Sequence, residues 1–110
     1  SDFKSAVFWS DIDAAVTATG TDQSGAAGLA NTYNVVTGGT VTSDDGVRLP
    51  SAQAGRIVII AAEYGDVLAV WPATGDSIDD AGANAETAQA DNSLAFYVAQ
   101  DGTVWRKLEN

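Results

Sequence analysis

Two stretches near the middle of the chain limit its fold more than any other feature. Residues 56–62 read RIVIIAA and residues 67–71 read VLAVW, and neither alternates polar with apolar side chains. Successive side chains of a strand point to opposite faces, so such runs are apolar on both sides. A strand of this kind is either central and covered twice, or it turns its outer face to another subunit. Joined around Tyr64, Gly65 and Asp66, the two runs predict a β-hairpin.

The rest of the sequence has the same strand-and-turn texture. Eleven glycines and several Asx-Gly steps punctuate short runs of Val, Ile, Thr and aromatic residues, and no helical apolar period is sustained. Residues 93–99 and 103–108 flank Asp101-Gly102, which predicts a hairpin closed by a type I′ turn. Further strands are expected at 6–9, 12–19, 47–49 and 86–89, and at 32–37 and 40–43 around a Gly38-Gly39 turn. No repeat period is visible. The expectation is a single all-β domain over residues 1–110, a jelly-roll-like antiparallel β-sandwich of about eight strands. Residues 1–9 are expected to form either an extended N-terminal arm or an edge strand.

Charge narrows the function classes. Fifteen acids against five bases give a formal charge of −10. Nucleic acids and anionic lipids are bound by Lys and Arg that neutralise phosphate, and Lys4, Arg48, Arg56, Arg106 and Lys107 are too few and scattered for that. No apolar run approaches the roughly 18 residues of a membrane span. The opening Ser-Asp-Phe-Lys lacks the regions of a signal peptide, so synthesis in the cytoplasm is expected.

With no histidine and no cysteine, a Ser-His-Asp triad, a thiolate nucleophile and a disulfide are all excluded. A non-enzymatic protein without cofactor is therefore expected; a carboxylate-dependent hydrolase is the outside alternative. Asp76, Asp79 and Asp80 form the only calcium candidate, weighed against the commoner role of Asp in bonding its own turn. A chain this small without covalent staples is expected to draw its further stability from tight β packing or from a neighbouring subunit. Phe8-Trp9 and Phe96-Tyr97 each direct one ring away from the core of their own domain. Phe8, Trp9, Ile57, Ile59 and Tyr97 are accordingly the candidates for core or intersubunit contacts.

From Gly46 onward the chain resembles a module of tailed-phage virion structural proteins. The matching residues are Gly46-Val47-Arg48-Leu49-Pro50, a small-residue turn ending at Gly55, and Arg56-Ile57-Val58-Ile59-Ile60. The likeness continues through Val70-Trp71-Pro72-Ala73-Thr74-Gly75-Asp76-Ser77-Ile78, the strand around Phe96, and Trp105. The resemblance implies a head decoration or cement protein on the capsid exterior. Such a protein binds the major capsid protein, bridges neighbouring subunits and forms a homotrimer. It carries over no catalytic residues. A receptor- or glycan-binding module of a phage fibre or tail is the alternative, and it calls for Trp71 or Trp105 exposed on a loop rim.

Overall fold

The computed structural model describes residues 11–39 and 45–110. The expected strands at 6–9 and 40–43, and the candidates Phe8 and Trp9, lie outside the described residues. Ten strands form two sheets, and there is no helix among the described residues. The larger sheet contains β1 (Ile12–Ala18), β3 (Tyr33–Gly39), β5 (Ile57–Ala62), β9 (Ser93–Ala99), β10 (Val104–Glu109) and β7 (Ser77–Ile78), in that spatial order. The smaller sheet runs β2 (Ala27–Gly28), β4 (Gly46–Arg48), β6 (Leu68–Trp71) and β8 (Thr87–Gln89).

The all-β reading holds, but the antiparallel jelly roll does not. β1, β3 and β5 pair in parallel in one sheet, and β2, β4 and β6 pair in parallel in the other. The chain thus alternates between sheets from β1 to β6, laying each new strand beside the one before last. A parallel pair always needs a crossover, and here the crossover is a strand of the opposite sheet rather than a helix. The path is that of a short β-solenoid. Ile12 pairs with Tyr33 and Tyr33 with Ile59, while Ala27 pairs with Val47 and Val47 with Val70. Each coil therefore takes roughly 20 to 26 residues, within the range of repeat architectures. Because the coils differ in length and share no motif, the sequence shows no period.

After β6 the direction changes. β8 pairs antiparallel with β6, β9 pairs antiparallel with β5, and β10 closes back on β9. The 93–108 hairpin is present, but its turn is not type I′. That turn requires positive φ at both central residues, whereas neither Asp101 nor Gly102 adopts one. Instead the Asp101 carboxylate accepts the Thr103 and Val104 amides, both at 2.9 Å.

The hairpin expected over 56–71 is absent. β5 and β6 belong to different sheets, and the chain between them crosses the core layer, bending at Gly65 with φ +97°. Gly38-Gly39 is likewise no turn but the end of β3. A Cβ at Gly39 would overlap the Asp45 carboxylate and the Tyr64 ring, so close packing accounts for that glycine.

Between the sheets lies one apolar core. Val16, Ala18, Val36, Val58, Ile60, Ala62, Ala95 and Tyr97 project from the larger sheet onto Val47, Leu68 and Val70 of the smaller. Trp105 and Tyr97 are the largest fully buried side chains. The outer side of the smaller sheet is tied down by its own chain. Arg48 donates to the carbonyls of Gln23 and Ala26, at 2.8 and 3.0 Å, and the Gln23 amide donates to the Pro72 carbonyl at 2.8 Å.

Candidate interaction face

The larger sheet has a second apolar side, facing away from the core. Strand registers align Ile12, Tyr33, Ile59, Phe96 and Leu108 in a single row across five strands. Beside it run Ile57 and Val98 on one side and Val35, Ala61 and Leu94 on the other. Phe96 is 40% exposed and Leu108 72% exposed, and Ile12, Ile57 and Val98 are also exposed. Ile59 and Ala61, at the centre, are buried. Soluble proteins rarely expose contiguous apolar patches larger than a few hundred Å², and larger ones mark contact sites, whereas isolated apolar residues do not.

Strand β9 makes the point most sharply. Its inward positions are Ser93, Ala95, Tyr97 and Ala99, all buried; its outward positions are Leu94, Phe96 and Val98. The side turned from the core is thus the more hydrophobic, contrary to the usual apolar-in, polar-out alternation of a solvated sheet.

A notch lies at each end of this face. One, of about 380 Å³, is lined by Asp11, Asn31, Thr32, Arg56 and Ile57 among others. There the Thr32 hydroxyl (2.5 Å) and the Asn31 amide (2.9 Å) donate to the Asp11 carboxylate. The Thr32 hydrogen bond foremost, with help from Asn31 and the Arg56 charge, holds the Asp11 carboxyl below its usual range despite some desolvation. The opposite notch, of about 250 Å³, includes Tyr33, Glu63, Asn92, Leu94 and Asn110.

The sequence candidates divide between the two sides. Ile57 and Ile59 lie on the face. Tyr97 does not: it is fully buried in the core, and Phe96 is the outward ring of the pair. Burial first, then the charges of Glu109 and Asp79, push the Tyr97 phenol far above its ordinary value. Tyr33, Phe96, Val98 and Leu108 were missed. The alternation 94-96-98 was the available signal, but by size alone it reads as the core side.

No family model matches the chain, and neither curated proteins nor solved structures gave a match.

The calcium candidates are not brought together. Asp76 turns inward and accepts the Ala52 amide at 2.9 Å, whereas Asp79 and Asp80 lie 4.0 and 3.8 Å from Arg106. No group of three or more acidic side chains able to hold a metal occurs among the described residues. Some acids instead satisfy local backbone: Asp22 accepts from Gly25 and Asp101 from its own turn. This is the usual work of Asp in turns.

Proposed function

We propose that this chain is a non-enzymatic structural protein of a tailed-phage particle, a capsid decoration or cement protein. It binds the outer surface of the head and bridges neighbouring major capsid subunits. The observation that carries the reading is the inverted strand β9, with Leu94, Phe96 and Val98 outside a core-facing set of Ser93, Ala95, Tyr97 and Ala99. An outward apolar row of that kind is the surface that another chain would cover. The likeness of residues 46–110 to phage structural modules supplies the setting, and the surplus of acids suits a protein that must stay off packaged DNA.

Bridging needs no chemistry. Apolar area buried between subunits raises the free energy required to separate them, by an amount that grows with the logarithm of the free concentration over Kd. The rival reading, a glycan-binding fibre tip, calls for exposed tryptophans. Trp105 is fully buried, and Trp71 is half-buried with its indole packed over Gly46. Electron-microscopic localisation of the labelled chain in its native particle tests the proposal. Label spread over the head supports it; label confined to tail fibres favours the rival, and particles without label contradict both.

A further inference from the structure

We infer that this protein's own side chains close its strand edges, so that it meets other chains through a sheet face and never by strand addition. Lys107 and Glu109 are the guards of the smaller sheet, and Asp13 is the guard of the larger. Strand addition needs a row of unpaired backbone N–H and C=O groups at an edge. Closed edges hold whatever chain covers the outer face of the larger sheet.

The two sheets have four edges: β1 and β7 in the larger, β2 and β8 in the smaller. β2 and β7 are two residues long, and very short edge strands make poor templates. β8 needs another device. Its Ala88 stands opposite Ala69, whose amide donates away from β8, to the Asp45 carbonyl at 3.0 Å. In an antiparallel pair both residues then turn their backbone groups outward. Ala88, and Ala90 two residues on, therefore face the free edge. There the Lys107 ammonium donates to the Ala88 carbonyl at 2.7 Å, and the Glu109 carboxylate accepts the Ala90 amide at 2.9 Å. The Ser93 hydroxyl donates to the Ala90 carbonyl at 2.6 Å. Lys107 and Glu109 come from β10 of the other sheet and pair with each other at 2.7 Å. Their side chains take the bonds that a fifth strand would make.

The larger sheet uses carboxylates in the same way. Past the end of β7, the edge of β10 continues at Lys107, whose amide donates to the Asp79 carboxylate at 3.2 Å. At the opposite edge β1 slips register against β3 twice, between Asp13 and Val16 and between Val16 and Thr17. Within the first slip the Asp13 carboxylate accepts the Ala15 amide at 3.1 Å, and residues 12–15 are exposed. Bulges and charged side chains are the means by which soluble sheets avoid edge-to-edge growth. Asp13, Asp79 and Glu109 thus each hold a backbone amide at or beside an edge, which gives part of the acid surplus a structural role.

Sedimentation velocity and backbone hydrogen exchange on the full chain test this. Lys107→Ala combined with Glu109→Ala leaves the net charge unchanged and adds no large apolar group, so new association comes from the opened edge. The folded double variant should associate at about tenfold lower concentration than the wild type. Exchange at residues 88–90 should slow as it does so, whereas wild-type exchange there should not change with concentration. Asp13→Ala opens β1 at an exposed position; it should also associate, with slowed exchange at residues 12–15. It decides the matter by itself if far-UV circular dichroism shows the double variant to be unfolded. A folded variant of either kind that sediments as the wild type does would overturn the inference. Slowed wild-type exchange at 88–90 on concentration would do the same. Neither result touches the capsid role, which the particle label decides.

Discussion

The phenolic hydroxyl of Tyr97 donates to the side-chain oxygen of Gln89 at 2.8 Å, joining β9 of the larger sheet to β8 of the smaller inside the core. The Gln89 amide in turn donates to the Ile60 carbonyl at 2.9 Å. Both side chains are fully buried, so neither can exchange its partner for water. Replacing Tyr97 by Phe leaves the Gln89 oxygen without a donor. The expected loss of stability is about 1–3 kcal/mol, measured by urea denaturation with an unchanged m-value.

The same hydroxyl governs the alkaline limb. Its folded pKa is raised well above the unfolded value of about 10, so the folded state holds a proton that the unfolded state gives up. The contribution is intact below about pH 10 and falls as pH rises further. Tyr97→Phe should flatten the decline of stability between about pH 10 and 11 relative to the wild type. Denaturation midpoints across that interval check it.

On the acid side Glu109 is the informative group. Burial alone would raise its carboxyl, but the Lys107 ammonium at 2.7 Å and the Ala90 amide at 2.9 Å outweigh burial and hold it low. The Lys107 ammonium also donates to the Ala88 carbonyl at 2.7 Å, so this cluster fastens β10 to the end of β8. A depressed pKa contributes stability above the unfolded value that is lost as pH falls through the folded one. Glu109→Gln should be less stable than the wild type at neutral pH, with the difference closing below about pH 4. Thermal melts at several pH values measure the gap.

Gly46 pairs with Thr19 across a single antiparallel bridge, and a Cβ there would lie 3.0 Å from the Trp71 indole nitrogen and 3.3 Å from the Ala26 Cβ. The ring and the loop would have to move apart. Gly46→Ala is expected to cost about 1–3 kcal/mol and to shift tryptophan emission; chemical denaturation followed by fluorescence reads both.

Local contacts were legible in the sequence and distant ones were not. The β9–β10 hairpin could be read because its arms lie beside each other in the chain. The strands at 12–18 and 87–89 could be read from Val, Thr and turn residues alone. The partners of β5 could not, because its parallel neighbour β3 begins 24 residues earlier and shares no repeated motif with it. Gly65 bends the chain equally well into a hairpin or across a sandwich, and both arms being apolar fits either. On the face itself, Ile57 and Ile59 were found through their two-sided apolar run. Which ring of the Phe96-Tyr97 pair turns outward was not legible, because the more hydrophobic side of β9 is the one turned outward and size alone points the other way.

Residue-level footprinting by hydroxyl radicals tests the covered face most directly, with the protein dilute, concentrated, and bound to its particle. Tyr97 and Trp105 should stay unlabelled throughout. Phe96 and Leu108 should be labelled in the dilute protein and protected once it associates. Equal labelling of Phe96 and Leu108 in all three states would mean that no chain ever covers this sheet, and the bridging role would lose its physical basis.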